Sequence, residues 1–228
     1  MHKYILLILS LVTIGCTKAS AIVSVDNGYS GKGSGWVAYS NDNNNYSIIM
    51  TNYHVCVNNY EEAIFNSATP NFSPTLTIKS EDSDDTKLGY ILAYNPIYDL
   101  CAIYIDTSLL ALDRASRSEL TYRQVLFVLS PPPYNPRSGS FIDEDTASND
   151  KWAANHKGGF VIKGNFIRGE SGSAVIDAHT KQVVGQLWGC SHNGHLAFIT
   201  HIEPIIEFLN KVKANLSVLL TSATPKEL

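Results

Sequence analysis

The sequence predicts an all-β fold, a barrel or a sandwich, finished by one C-terminal helix. Short runs rich in β-branched and aromatic residues, such as 46–51 and 182–188, are separated by clusters of Gly, Pro, Asn and Asp, the punctuation of strands and turns. Helical periodicity is scarce before the C-terminal region, where Ile205, Ile206, Leu209, Val212 and Leu216 fall on one helical face. With 228 residues, 44% of them hydrophobic and 17% charged, the chain can bury one large core or two smaller ones.

The N-terminus reads as an export signal. His2 and Lys3 precede an apolar run, 4–14, that is too short for a membrane span and fits the h-region of a secretory signal. Two processing routes fit. Ala19-Ser20-Ala21 has the A-x-A form of signal cleavage, giving a signal peptide over 1–21; Ile14-Gly15-Cys16 resembles the end of a lipoprotein signal over 1–15, with a lipid anchor on Cys16. Either way the expected location is outside the cytoplasm: secreted, periplasmic or anchored in the envelope.

Strands are then expected in order. Gly31-Lys32-Gly33-Ser34-Gly35 is turn-forming and leads into a strand at 36–39; the Asn-rich 41–45 reads as a hairpin loop; 46–51 is apolar enough to be buried and delivers His54 at its end. Further strands are expected at 62–65, 76–79 and 88–94, with a solvated acidic turn at 81–85. The run 98–105 is apolar on both faces except for Asp99 at its start, a carboxylate that needs a partner there. From 106 to 120 the pattern loosens into a linker, which divides the chain into an N-terminal unit over 22–112 and a C-terminal one over 113–220, with a tail at 221–228. In the second unit strands are expected at 123–129, 159–163, 173–177, 182–188 and 196–200. A Pro-rich turn at 131–136 and a polar stretch to about 155 lie between the first two as loops of the kind that form the rim of a site.

Partners are bounded by charge. The net charge is −4 with no Lys/Arg cluster, so nothing in the chain offers nucleic acid an electrostatic footprint. Of the four cysteines, Cys16 is removed or acylated, leaving Cys56, Cys101 and Cys190. Export permits a disulfide, and Cys56 with Cys101 is the candidate pair, each two residues past a candidate catalytic group; buried free thiols are the other reading. Cys190, His192 and His195 have a C-x-H-x-x-H spacing that could hold zinc, but they fall in a Gly- and Asn-containing loop and are expected to be a surface loop without metal. No cofactor is expected.

The chemistry is carried by Gly169-Glu170-Ser171-Gly172-Ser173. Glycines on either side leave the serine hydroxyl open and let consecutive N–H groups converge, which supplies a reachable nucleophile and an oxyanion hole. Nucleophilic serine chemistry also needs a base and a carboxylate to orient it, and the chain offers His54, Asp99 and Ser171 in that order, each at a strand end or turn.

These blocks, together with Gly33-Ser34-Gly35-Trp36, Thr51-Asn52-Tyr53-His54-Val55, Asp99-Leu100-Cys101-Ala102 and Val184-Gly185-Gln186-Leu187-Trp188-Gly189, resemble those of the trypsin-like (chymotrypsin-fold) serine endopeptidases, most closely the bacterial glutamyl endopeptidase and HtrA-like branches. The resemblance covers about residues 31–213. It implies two six-stranded antiparallel β-barrels and a C-terminal α-helix, with His54 and Asp99 from the first barrel and Ser171 from the second. It further implies an oxyanion hole of the Gly169 and Ser171 N–H groups and a pocket with Asn165 at its base and Trp188-Gly189 as a wall. Phe166 then either narrows that pocket or belongs to the core. Two positions depart from the family pattern. Many members carry Asp before the serine, where it pairs with a freed N-terminal ammonium; here it is Glu170, for which a local ion pair or a solvated site is expected. Glutamate-specific relatives have His before the Trp-Gly; here it is Leu187, so glutamate specificity is not expected, the uncharged Asn165 does not support a Lys or Arg preference, and Phe166, where it narrows the pocket, favours small or apolar side chains. The reading is thus an exported, monomeric serine endopeptidase acting on protein or peptide. A protease-like binding module without turnover and an envelope lipoprotein are the alternatives.

Overall fold

In a computed structural model of the chain, the residues described are 21–28, 31–57, 75–80, 85–117, 119–131, 136–144 and 159–222. The expected strand at 62–65, the signal region 1–20 with Cys16, the acidic residues 81–84, His156 and the end of the tail lie outside them.

Twelve strands form two closed six-stranded antiparallel barrels. The first contains β1 (Ile22–Asp26), β2 (Lys32–Asn41), β3 (Tyr46–Thr51), β4 (Thr75–Ser80), β5 (Thr86–Asn95) and β6 (Leu100–Ile105). The second contains β7 (Val125–Leu129), β8 (Arg137–Glu144), β9 (Gly159–Gly164), β10 (Ala174–Asp177), β11 (Val183–Cys190) and β12 (Leu196–His201). Neighbours run β1-β2-β3-β6-β5-β4 in one barrel and β7-β8-β9-β12-β11-β10 in the other, the same order twice with no repeat visible in sequence. Closure leaves neither sheet with a free edge.

Two strands were not expected. Ile22 and Val23 open β1, which pairs with β2 on one side and closes the barrel against β4 on the other. β8 occupies part of the stretch expected to be loop. Its sequence, Arg-Ser-Gly-Ser-Phe-Ile-Asp-Glu, has only two large apolar residues, and the ladder to β7 and β9 rather than apolar alternation makes it a strand. Only one of the two, Phe141, is buried, packing its ring on Phe160.

The chain crosses between barrels at 106–124, and the crossing is strapped down. Leu112 N–H donates to Val37 O in the first barrel, while Ala115 N–H donates to Val183 O in the second. Helix α2 (Ile202–Ser222) follows β12 and packs on β5 and β6 as well as β11 and β12, so it lies across both barrels. Pro204 is tolerated because it stands in the first turn, where an N–H has no intrahelical acceptor. The helix buries Ile202, Ile205, Phe208, Leu209, Val212 and Leu216 in one cluster with Trp36, Met50 and Leu100 of the first barrel and Ala174 and Val183 of the second. That shared core, with Trp36 Nε1–H donating to the buried Gln186 Oε1 (3.0 Å), fixes the barrels face to face.

Candidate active site

β3 ends at Thr51 and passes through Asn52 into a single helical turn, α1 (Tyr53–Cys56), which carries His54. Asp99 stands across from it in the turn between β5 and β6, with φ +51°, a left-handed conformation that a short polar side chain tolerates best after glycine. The two segments are stitched together by main-chain groups. Asn52 Nδ2 donates to Asp99 O (2.8 Å), Tyr53 N–H donates to the same oxygen (3.2 Å), and His54 N–H donates to Asp99 Oδ1 (3.0 Å). The other carboxylate oxygen, Oδ2, lies 2.7 Å from His54 Nδ1. Asp99 is buried, whereas 28% of the His54 side-chain surface stays open. A disulfide between Cys56 and Cys101 joins α1 to the first strand turn after Asp99.

The serine arrives from the second barrel on the 169–172 turn. Gly169 has φ +96° and Gly172 φ +90°, values that only glycine adopts without strain. This turn is seated on the first barrel. Ser34 N–H donates to Ser171 O (2.7 Å) and Ser34 Oγ donates to Gly169 O (3.0 Å). Thr51 Oγ1 donates to Ser34 O (2.7 Å), and a Cβ at Gly172 would stand 2.0 Å from that same oxygen. A Cβ at Gly33 would likewise meet both Ser171 O and the side chain of Val55, the neighbour of His54, each at 2.7 Å. The serine turn and the histidine turn therefore meet against β2. Ser171 Oγ donates weakly to Trp188 O (3.5 Å). The N–H groups of Gly169 and Ser171 are taken up by no group among the described residues, although Gly172 and Ser173 N–H are bonded, to Leu187 O and Glu170 O.

Glu170 is fully buried. Its Oε1 is 2.5 Å from Arg137 Nε, and its Oε2 accepts the Ile167 N–H (2.8 Å). Burial pushes its carboxyl above the ordinary range, with the Ile167 N–H and the Arg137 guanidinium pulling the other way. Glu170 is thus ion-paired and not solvated, with a partner 33 residues away along the chain.

A pocket of about 580 Å³ opens beside the serine. It is lined by Phe166, Ile167, Arg168, Gly169 and Ser171 on one side and by Leu187 and residues 189–194 on the other. Phe166 lines the pocket and also packs in the second-barrel core beside Phe160 and Ile162. Gly189 lines it too. Asn165 does not: it is exposed outside the lining, its carbonyl taken by Arg137 Nη1 (3.4 Å). The Trp188 ring turns away to stack on Phe198, leaving its carbonyl toward Ser171. Cys190 is a free, half-buried thiol on the wall, and burial raises its pKa. Among the described residues no three His, Cys, Asp or Glu side chains group to hold a metal, Cys190, His192 and His195 included. Arg137 and Arg168 carry no pattern in the sequence, and Ser34 is marked there only as part of the Gly33-Ser34-Gly35-Trp36 block, with no sign of its contacts to the serine turn.

The paired barrels, with a carboxylate-bound histidine from one and a glycine-flanked serine from the other, define the chymotrypsin-like class of fold. The model of the trypsin-like peptidase domain matches residues 33–185, well over half of the chain, and the chain belongs to that family. No curated protein matches this sequence. Among solved structures, the chain is similar to Rv3671c from M. tuberculosis in an inactive form carrying a serine-to-alanine substitution, at 19% identity and TM-score 0.64, covering 88% of this chain and 90% of that one. A second structure, of the Rv3671c protease in an inactive form, matches at 18% identity and TM-score 0.63 over 86% of this chain and 90% of that one. At such identities the likeness speaks to fold. Among the described residues no helix is long and apolar enough to cross a membrane.

Proposed function

We propose that this chain is an exported serine endopeptidase with His54, Asp99 and Ser171 as its catalytic residues. Ser171 Oγ attacks the scissile carbonyl while His54 Nε2 takes the hydroxyl proton. The oxyanion is held by the Gly169 and Ser171 N–H groups. As the tetrahedral species collapses, the C–N bond breaks and His54 returns the proton to the leaving amine; water, deprotonated by His54, then cleaves the acyl-enzyme and Ser171 recovers its proton. The observation that carries this reading is the 2.7 Å contact of His54 Nδ1 with the buried Asp99 Oδ2, which commits Nδ1 as donor and leaves the basic lone pair on Nε2.

Arg168 places a guanidinium among the residues lining the pocket, and no carboxylate is among the described residues that line it. This arrangement disfavours Lys or Arg in the pocket and suits a neutral or acidic side chain, which widens the small or apolar preference expected from Phe166. Export rests on the N-terminal sequence, with Ala21 cleavage and Cys16 lipidation as the two routes, and the enzyme is taken to act as a monomer.

The test is labelling by a fluorophosphonate probe. The intact protein is expected to label at Ser171, and Ser171→Ala and His54→Ala to abolish it. A folded protein that does not label is instead the binding module without turnover. Cleavage of a mixed peptide library reads the pocket, a sharp Lys/Arg preference being the contrary result. Mass measurement of the mature N-terminus separates Ile22 from an acylated Cys16.

A further inference from the structure

We infer that Arg137 is a positioning residue for the oxyanion turn, doing for Glu170 what a freed N-terminal ammonium does for the corresponding acid in many family members, so that the site is ordered without N-terminal processing. The inference rests on reading Ser171 as the nucleophile.

Three observations converge on it. Glu170 stands between the two residues whose N–H groups form the proposed oxyanion hole, and its carboxylate has no exposed surface, so its charge needs a partner that stays in place. Arg137, the first residue of β8, supplies that partner through Nε at 2.5 Å and reaches with Nη1 to Asn165 O, while Glu170 Oε2 holds the Ile167 N–H. Arg137 thereby ties residues 165 and 170 to a barrel strand, and Glu170 in turn holds residue 167, so the pair spans the segment that leads into Ser171. The competing cation is elsewhere: Ile22 is buried in the first barrel, opposite Trp36 in the β1–β2 ladder, with its side chain in the core shared with α2. A chain starting at Ile22 would have to strip β1 out of the barrel to bring its ammonium to Glu170.

Removing the guanidinium leaves Glu170 as a buried, unpaired charge, which turns outward to water and takes the Gly169–Ser171 peptide groups with it. Removing both charges leaves nothing to hydrate. The experiment compares Arg137→Met, Arg137→Lys, Glu170→Gln and the double variant Arg137→Met/Glu170→Gln with wild type, by kcat, KM and the rate of fluorophosphonate labelling. Arg137→Met is expected to lower kcat on the order of 10²-fold, the scale of losing an oxyanion donor, with little change in KM. Arg137→Lys is expected to retain more activity, and the double variant to regain at least about tenfold over Arg137→Met. A second arm compares a protein beginning at Ile22 with one extended by two residues, which are expected to be equally active. Arg137→Met at wild-type turnover, a double variant no better than Arg137→Met, or activity that needs the free Ile22 amine would each overturn the inference. Hydrogen exchange over 165–173 reads the same positioning without catalysis. Faster exchange in Arg137→Met supports it and unchanged exchange opposes it, even if wild type proves not to label and the peptidase reading itself falls.

Discussion

The two barrels repeat one strand order, yet they hold their halves of the site by different means. In the first, His54 and Asp99 are fixed by short-range devices: a one-turn helix, three hydrogen bonds from Asn52, Tyr53 and His54 onto Asp99, and a disulfide two residues beyond each. In the second, the Gly169–Gly172 turn depends on contacts from a distance, with Arg137 on Glu170 from another strand and Ser34 on Gly169 and Ser171 from the other barrel. On the proposed reading, the orienting half of the site is held by bonds within its own barrel. The proposed nucleophilic half takes part of its support from the other barrel, through Ser34, and so depends on the inter-barrel core around Trp36 and α2.

This contrast can be broken at several points, of which Asp99→Asn has the largest expected effect. The amide can keep the hydrogen bonds at the backbone carbonyl of residue 99 but presents the wrong partner to Nδ1, and kcat should fall about 10⁴-fold with the fold intact, as read by kinetics beside a thermal melt. Next comes the Cys56/Cys101 bridge, which closes a separation of 45 residues; replacing both cysteines by serine should cost up to about 4 kcal/mol of stability in denaturant melts, with a larger effect on stability than on turnover. If turnover collapses while stability holds, the first barrel is less self-sufficient than its bonds suggest. Gly172→Ala tests the docked half, because its φ of +90° and a Cβ 2.0 Å from Ser34 O leave no room for a methyl. A loss of about 3 kcal/mol together with most of the activity is expected.

The smallest effect is expected at Asp177, the last residue of β10, whose carboxylate caps the turn into β11. Burial raises its pKa, but the His179 N–H, the Thr180 hydroxyl and Gln124 outweigh that, so the net position is below the ordinary 3.8. A depressed carboxylate contributes stability that is present above the unfolded pKa and is lost as pH falls toward the folded one. Asp177→Asn should therefore cost about 1 kcal/mol at neutral pH, a deficit that shrinks below about pH 4, and should leave the kinetics alone. An activity change there would mean that the second barrel transmits strain to its serine turn more widely than Arg137 and Ser34 imply.

What the sequence determined by itself is the part of the protein written in local pattern. Alternating β-branched and aromatic runs are sufficient to mark ten of the strands, because period and turn chemistry act over a few residues, and the single apolar face at 205–216 marks α2. The glycines around Ser171, and the placement of His54 and Asp99 at strand boundaries, are legible for the same reason. The tertiary structure decided what depends on distance. β8 is a strand by virtue of its neighbours' ladders, and Ile22 belongs to a barrel instead of standing as a terminus. The pocket is walled by Arg168 and residues 189–194 while Asn165 lies outside it. Glu170 meets Arg137 across 33 residues of chain, and a buried charge selects its partner by proximity in space, which no local spacing encodes.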